Sequence, residues 1–465
     1  MIRAALGLAA ALPLWALPAA AVPRADVAVT RNGQVWTADY RFTGRSGAWM
    51  FLRSERTREG GQDWRTQSWR VETPGVRLER RGRHDALVGV NGPVPARVRI
   101  SFTPAAVDLD AGYDPALIFS DGSVALYTKQ FAVLPQPSAA VVDALPQDLN
   151  GLTLPEARVR FAFRDAAGPV LSGGRRLATA QFGDDDGDGT YVLFGRLQPI
   201  VTDAMAAVID PALPAWIRGS LDRAVPDILG RYAAMLGPAP GPKPTILVSW
   251  AGPTPGRISL GGSVLAGMVT LAYEGDRLNT ESPQARSYGL WFIAHEGAHF
   301  WLGQAVHYEF ARESWITEGG AELLAFRTVA AVDPAYDARG AINAAIAECL
   351  PFIAGKGIAG AAERGESRAY YSCGAIFALV AEGASHQPLI RFVKRLLDEK
   401  RADATVSRAD WLAALDRVSG DPTLSRDIGV LLDTGAADPK AAIASLLRRT
   451  GIAFNLGEDG VPHVT

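Results

Sequence analysis

His295-Glu296-Gly297-Ala298-His299, followed by Trp315-Ile316-Thr317-Glu318-Gly319-Gly320-Ala321-Glu322, is the stretch on which the reading of this chain turns. The first five residues lie within an aromatic and aliphatic run, Tyr288 to Leu302, that reads as a buried helix. Four residues are about one helical turn, so His295 and His299 project from one face and can meet a single ion. Glu296, rotated about a third of a turn from His295, is placed to reach a water there. A catalytic zinc takes three protein ligands and keeps a position open. Glu318, 19 positions after His299 in a second predicted helix, is the candidate third ligand. Glu322, one turn further on, is placed to orient a liganding histidine through its second ring nitrogen. Chance spacing on an ordinary helix is the alternative. Against it, three of the six histidines fall within thirteen positions and the acid follows. His307, the last of the three, lies outside the pattern and reads as structural.

The run from His295 through Phe300-Trp301-Leu302-Gly303-Gln304, then Trp315 to Gly319, resembles the zinc-binding pattern of the aminopeptidase N family of gluzincin metallopeptidases. Trp301, Gly303, Val306, Trp315 and Gly319 fall where that pattern has them, while Gln304 and Thr317 each stand for an Asn. The resemblance implies one Zn2+ per chain on His295, His299 and Glu318, with Glu296 as general base and proton shuttle. It also implies an oxyanion-stabilising tyrosine in a Tyr-x-x-Gly context. Tyr371-Ser372-Cys373-Gly374 fits, 53 positions beyond Glu318. The adjacent Tyr370 competes for the role, and a core tyrosine at a helix start is the other reading. The likeness is specific over roughly 264–380 and architectural elsewhere. The glycyl aminopeptidase family is a near alternative, without its added peptide-binding module. One departure stands out. The family's edge strand carries Gly-x-Met-Glu-Asn about two dozen residues before the zinc helix, and its Glu binds the substrate's free amine. The matching stretch is read as Ala266-Gly267-Met268-Val269-Thr270, placing Gly267 and Met268 on the substrate-binding edge strand and leaving no Glu there. Unless Glu274, Glu281 or another acid fills the gap, an ammonium entering the cleft is desolvated without compensation, and blocked or internal peptide bonds are the expected substrates.

Upstream, from Val27 to about Ile200, the pattern has period two. Trp36, Ala38, Tyr40 and Phe42 face one way, as do Val98, Ile100 and Phe102, and again Ala157, Val159, Phe161 and Phe163. Many short strands punctuated by Gly, Pro, Asn and Asp predict a β-sandwich. The nine arginines between Arg53 and Arg83 are interleaved with Glu55, Glu59, Asp63, Glu72 and Glu79, which reads as a solvated sheet face. Ile217, Leu221, Ala224, Ile228, Tyr232 and Met235 then recur at helical spacing up to Gly237-Pro238. Apolar strands are predicted at Thr245 to Trp250 and Val264 to Tyr273. The resulting organisation is a signal peptide over 1–21, a β-sandwich over 22–200, a thermolysin-like catalytic domain over 201–385 and a helical portion over 386–465. The fold class is α+β multidomain. The C-terminal helices, including Leu389 to Leu397 and Ala441 to Leu447, are expected to wall one side of the cleft.

Several functions are excluded or set aside. With 47 Lys+Arg against 49 Asp+Glu, the chain has no electrostatic footprint for nucleic acid. Met1-Ile2-Arg3, the apolar Ala4 to Leu17 and Ala19-Ala20-Ala21 form the three parts of a secretory signal, predicting export to a bacterial periplasm or medium. No Cys follows that run to carry a lipid, and after cleavage no membrane span is expected. The only two cysteines, Cys349 and Cys373, are expected to pair in an oxidising compartment; two buried thiols are the alternative. Asp184-Asp185-Asp186-Gly187-Asp188-Gly189 opens like a calcium loop, but Gly195 stands where the bidentate Glu belongs, which favours a turn over Ca2+. Gly237 to Thr245 lacks the Gly-Lys step and the N–H donors of a phosphate loop. The reading is an exported zinc metallopeptidase acting on peptides, of undetermined oligomeric state. The alternatives are an exported binding protein with a structural zinc, or a zincin hydrolase of non-peptide substrates. A complete Glu296 argues against the first, since a structural site needs no base.

Overall fold

The computed structural model describes residues 22–183, 187–201, 206–239 and 245–465. The predicted signal peptide, the three aspartates opening the calcium-loop reading and most of the stretch considered as a phosphate loop lie outside them.

Period-two alternation becomes strands in the N-terminal part. The strand Val35–Thr43 buries Trp36, Ala38, Tyr40 and Phe42 on one face and pairs antiparallel with Arg24–Asn32 and Arg97–Phe102. These belong to a six-stranded sheet that shares one aromatic core with a four-stranded sheet containing Ala48–Phe51. Arg65 departs from the expectation of a solvated arginine face. It is fully buried, ion-paired to Asp85, hydrogen-bonded to Gln130 and stacked on Phe51, Trp64 and Trp69. A lone charge in the core would be prohibitive; the paired carboxylate and the flat aromatic faces make it tolerable.

A third sheet, of five strands, joins the two halves of the molecule. Its strand Tyr191–Phe194 is buried on both faces. Val192 and Phe194 enter the sandwich core, while Tyr191 and Leu193 enter a second core that includes Val208, Leu247, Leu265 and Met268 of the second half's sheet. Strict alternation thus aims one strand at two different partners.

The sheet of the second half is ordered Ile200–Val201, Ala206–Ile209, Thr245–Trp250, Met268–Glu274, Ser259–Leu265. The middle three run parallel, and Ser259–Leu265 closes one edge antiparallel to Met268–Glu274. This corrects the reading of one strand from Val264 to Tyr273. The run is a hairpin, turned at Ala266-Gly267, where Gly267 has φ +68°. Gly267 and Met268 are therefore not on the edge strand. Met268 opens an interior strand and is 2% exposed, facing the N-terminal half.

The helix Pro283–Ala298 starts five residues before the predicted Tyr288, because Ser282 caps it by accepting from the Ala285 N–H and Pro283 occupies its first position. The helices Trp315–Val332 and Arg368–Ser385 pack against it and each other. One continuous apolar core runs from Ala207 to Val461 and includes the C-terminal helices. Those helices support the site from behind. Trp411 of the helix Arg408–Ser419 stands edge-on to Trp315, 5.0 Å between centroids, and to Phe392 at 5.4 Å. Among the described residues no helix is long and apolar enough to cross a membrane.

Candidate metal centre

Three ligand atoms converge. His295 lies in the last turn of the helix Pro283–Ala298, and His299 is its first residue past the end, still with helical angles (φ −66°, ψ −14°). Glu318 stands in the first turn of the helix Trp315–Val332. The two Nε2 atoms are 3.1 Å apart, and each is 3.3 Å from Glu318 Oε2. Atoms held about 2.0–2.2 Å from one tetrahedral ion stand roughly 3.4 Å from one another, so this triangle has the size of one face of a zinc site. The donor chemistry agrees. His299 Nδ1 is bound to the Leu302 carbonyl at 2.8 Å and His295 Nδ1 lies 3.0 Å from Glu322 Oε2, so each ring directs Nε2 inward. Glu318 Oε2 is buried and faces the Nε2 atoms of both imidazoles. These residues fit a zinc ion and make a poor structure without a cation.

The electrostatics point the same way. Burial by itself would lower the His295 pKa, yet hydrogen bonds to Glu318 and Glu322 raise it to about 10. Burial would raise that of Glu318, but His299 and bonds to both imidazoles hold it far below the usual carboxylate range. The acids around the two imidazoles thus favour a cation at the centre of the cluster.

Glu296 lies outside the triangle, 9% exposed, facing the edge strand. A Cβ on Gly262 would stand 2.7 Å from the Phe292 ring and 3.2 Å from Glu296 Cγ, so only glycine lets the strand lie this close. Burial raises the Glu296 pKa, opposed by His295 and His299. Across the site, Tyr371 stacks on His295 with 5.6 Å between centroids, and the Arg368 guanidinium lies 4.9 Å from the Tyr371 centroid. Tyr370 points elsewhere: it is buried, and its hydroxyl accepts from the Ala362 N–H at 3.2 Å. The helix bearing Tyr371 is tied back twice, by a Cys349–Cys373 disulfide and by the two hydrogen bonds of Arg368 to Glu348, 3.1 and 2.8 Å.

Two residues without a predicted role also serve the site. Trp291, one turn before His295, donates from Nε1 to Glu322 Oε2 at 3.0 Å and so fixes the carboxylate behind His295. Gln304 donates to the Val264 carbonyl at 3.1 Å, tying the edge strand to the loop after His299. Their signal was position alone: Trp291 shares a helix face with His295, and Gln304 ends the zinc pattern. His307 is exposed and pairs in a two-residue strand with Thr405.

No family model matches this chain, and no curated protein sequence matches it. Solved structures do. The chain resembles native yeast LTA4 hydrolase with a TM-score of 0.53 at 12% identity, over 90% of this chain and 68% of that one. The same enzyme in complex with bestatin gives 0.52 at 13% identity, over 90% and 68%. An M1 zinc metallopeptidase from Deinococcus radiodurans gives 0.45 at 14% identity, over 89% and 93%. The yeast likeness shows the fold alone: a sheet-rich N-terminal part, a mixed sheet with packed helices, and C-terminal helices, arranged as in that enzyme.

Proposed function

We propose that this protein is an exported zinc-dependent peptidase that hydrolyses peptide bonds with Glu296 as general base. The observation that carries this is the 3.1–3.3 Å triangle of His295, His299 and Glu318 with a free carboxylate on one side and a tyrosine on the other. Zinc held there supplies Lewis acidity toward the carbonyl and the attacking water. Glu296 takes the proton from that water and delivers it to the departing amine; its burial and raised pKa suit a group that must both accept and return a proton. The Tyr371 hydroxyl, kept protonated by burial and by Glu318 and Glu296, is a donor for the oxyanion. Among the described residues no strand pairs with the outer edge of Ser259–Leu265, along which an extended peptide can lie. Export is supported by the signal-like first residues and by the paired cysteines.

The test is metal analysis and a peptide-library digest of the purified protein beside Glu296→Gln. The variant should hold zinc at the level of the parent and lose hydrolysis, because an amide cannot accept the proton. Retained turnover removes Glu296 from the mechanism, and a zinc-loaded parent that cleaves nothing removes the peptidase reading.

A further inference from the structure

Tyr371 has one hydroxyl to place, and nothing holds that hydroxyl directly. Among the described residues no hydrogen bond engages its oxygen. A donor to an oxyanion must stand within about 2.7–3.1 Å of where the charge develops. A tyrosine side chain that is only half-buried turns between staggered positions unless packing selects one. The ring itself must therefore be held.

Two groups bear on it. The His295 ring is nearly parallel, 18° between planes, but with 5.6 Å between centroids the two rings are offset, which leaves room to slide. The other group is Arg368, whose guanidinium carbon lies 4.9 Å from the Tyr371 centroid. The two residues stand three apart in the helix Arg368–Ser385 and so share a face. The guanidinium cannot follow the ring if it moves. Its Nε and Nη2 both donate to the Glu348 carboxylate, at 3.1 and 2.8 Å, and such a fork fixes the plane of the donor. Arg368 and Glu348 are each 38% exposed, so the pair adds little stability; what it supplies is direction. At the far end the Trp291 ring lies 5.7 Å from that of His295, and Trp291 is held by Glu322. A row of side chains, Glu348–Arg368–Tyr371–His295–Trp291–Glu322, thus crosses four helices with a carboxylate at each end.

We infer that Arg368 is the positioning residue for the Tyr371 hydroxyl, its guanidinium, aimed by Glu348, fixing the ring against His295. The consequence for turnover rests on the peptidase reading above; the hold on the ring does not. Arg368 acts only through Tyr371, and a misplacement of that hydroxyl by about 1 Å is enough to slow the reaction by one or two orders of magnitude.

The experiment reads the ring and the rate separately. Zinc-loaded protein is labelled with fluorotyrosine, and the Tyr371 line is identified by its loss in Tyr371→Phe. Fluorine NMR should show that line narrow in the parent. It should be broadened or split in Arg368→Met, which keeps an unbranched side chain but loses the planar cation. Arg368→Lys, which keeps the charge, should restore much of it. Glu348→Gln, which leaves Arg368 present but unaimed, should act in the same direction and less. On a peptide that the parent cleaves, Arg368→Met should lower kcat about tenfold or more, with KM and zinc content as in the parent. Added to Tyr371→Phe, the same change should alter kcat by less than about twofold, because no hydroxyl is left to place. A narrow, unmoved Tyr371 line in Arg368→Met overturns the inference, and so does a tenfold loss that persists in Tyr371→Phe. A line that broadens in a protein whose parent hydrolyses nothing leaves the positioning role standing and sinks the peptidase reading; an active parent with an unmoved line does the opposite.

Discussion

Gly319 and Gly374 meet backbone to backbone: a Cβ on Gly319 would stand 2.1 Å from the Gly374 carbonyl carbon, and one on Gly374 would stand 2.5 Å from the Trp315 carbonyl oxygen. Gly319 directly follows Glu318, the proposed third ligand, and Gly374 lies three residues after Tyr371, so this crossing sets how far the tyrosine stands from the His295–His299–Glu318 cluster. Helices approach this closely only where neither carries a side chain.

The first prediction tests the crossing. Gly374→Ala forces the two helices apart, because its obstacles are backbone atoms that cannot rotate away. Overpacking of this kind costs about 1–3 kcal/mol. Denaturant melts should show that loss, and hydrolysis should fall further than zinc content does, since His295, His299 and Glu318 lie on the other side of the contact. Unchanged stability and rate would mean the helices have slack that the structure does not show.

The second separates Tyr371 from Tyr370. Tyr371→Phe keeps the ring stacked on His295 and removes only the hydroxyl, so kcat should fall roughly 10²–10³-fold with KM little changed. Tyr370→Phe removes the acceptor for the Ala362 N–H, so it should cost about 1 kcal/mol of stability and leave kcat near that of the parent. The reverse pattern in steady-state kinetics would reassign the oxyanion donor.

These residues differ in how far the sequence exposes them. His295 and His299 were legible because helical spacing is local, and Glu318 because a second helix opens at a fixed distance. The edge strand was not. Val264-Leu265-Ala266-Gly267-Met268-Val269 is apolar almost throughout, and a continuous run cannot distinguish one strand from two folded back on each other. The only mark of the hairpin is Gly267 at φ +68°, which sequence offers as just another glycine. The slip mattered, since it placed Met268 in the cleft when its side chain packs on the opposite face of the sheet, toward the N-terminal half. Arg65 was masked by the eight other arginines around it.

The third concerns the Cys349–Cys373 bridge. Denatured but unreduced protein should show no reactive thiol, and two after reduction. In the chain-entropy model, closing a loop of this length contributes about 3 kcal/mol. Cys349→Ser with Cys373→Ser should therefore lower stability by about that amount. Activity should suffer less, because Arg368 and Glu348 still tie the Tyr371 helix to its neighbour. Two thiols titrating before reduction would end this prediction.

The fourth grades the residues that hold the metal. Glu318→Ala leaves only two imidazoles, which retain zinc poorly, so dialysed protein should come out nearly metal-free and inactive. Glu322→Gln acts one step back. Glu322 Oε2 stands 3.0 Å from both His295 Nδ1 and Trp291 Nε1, so it orients the ring and makes it more basic without touching the ion. Partners of this kind are worth about 10–100-fold in metal affinity. Competition with a chelator should place Glu322→Gln in that range, between the parent and Glu318→Ala. Zinc that holds as firmly in Glu322→Gln as in the parent would show that packing of the His295 ring against Tyr371 and Trp291 orients it unaided, and that the carboxylate behind it is idle.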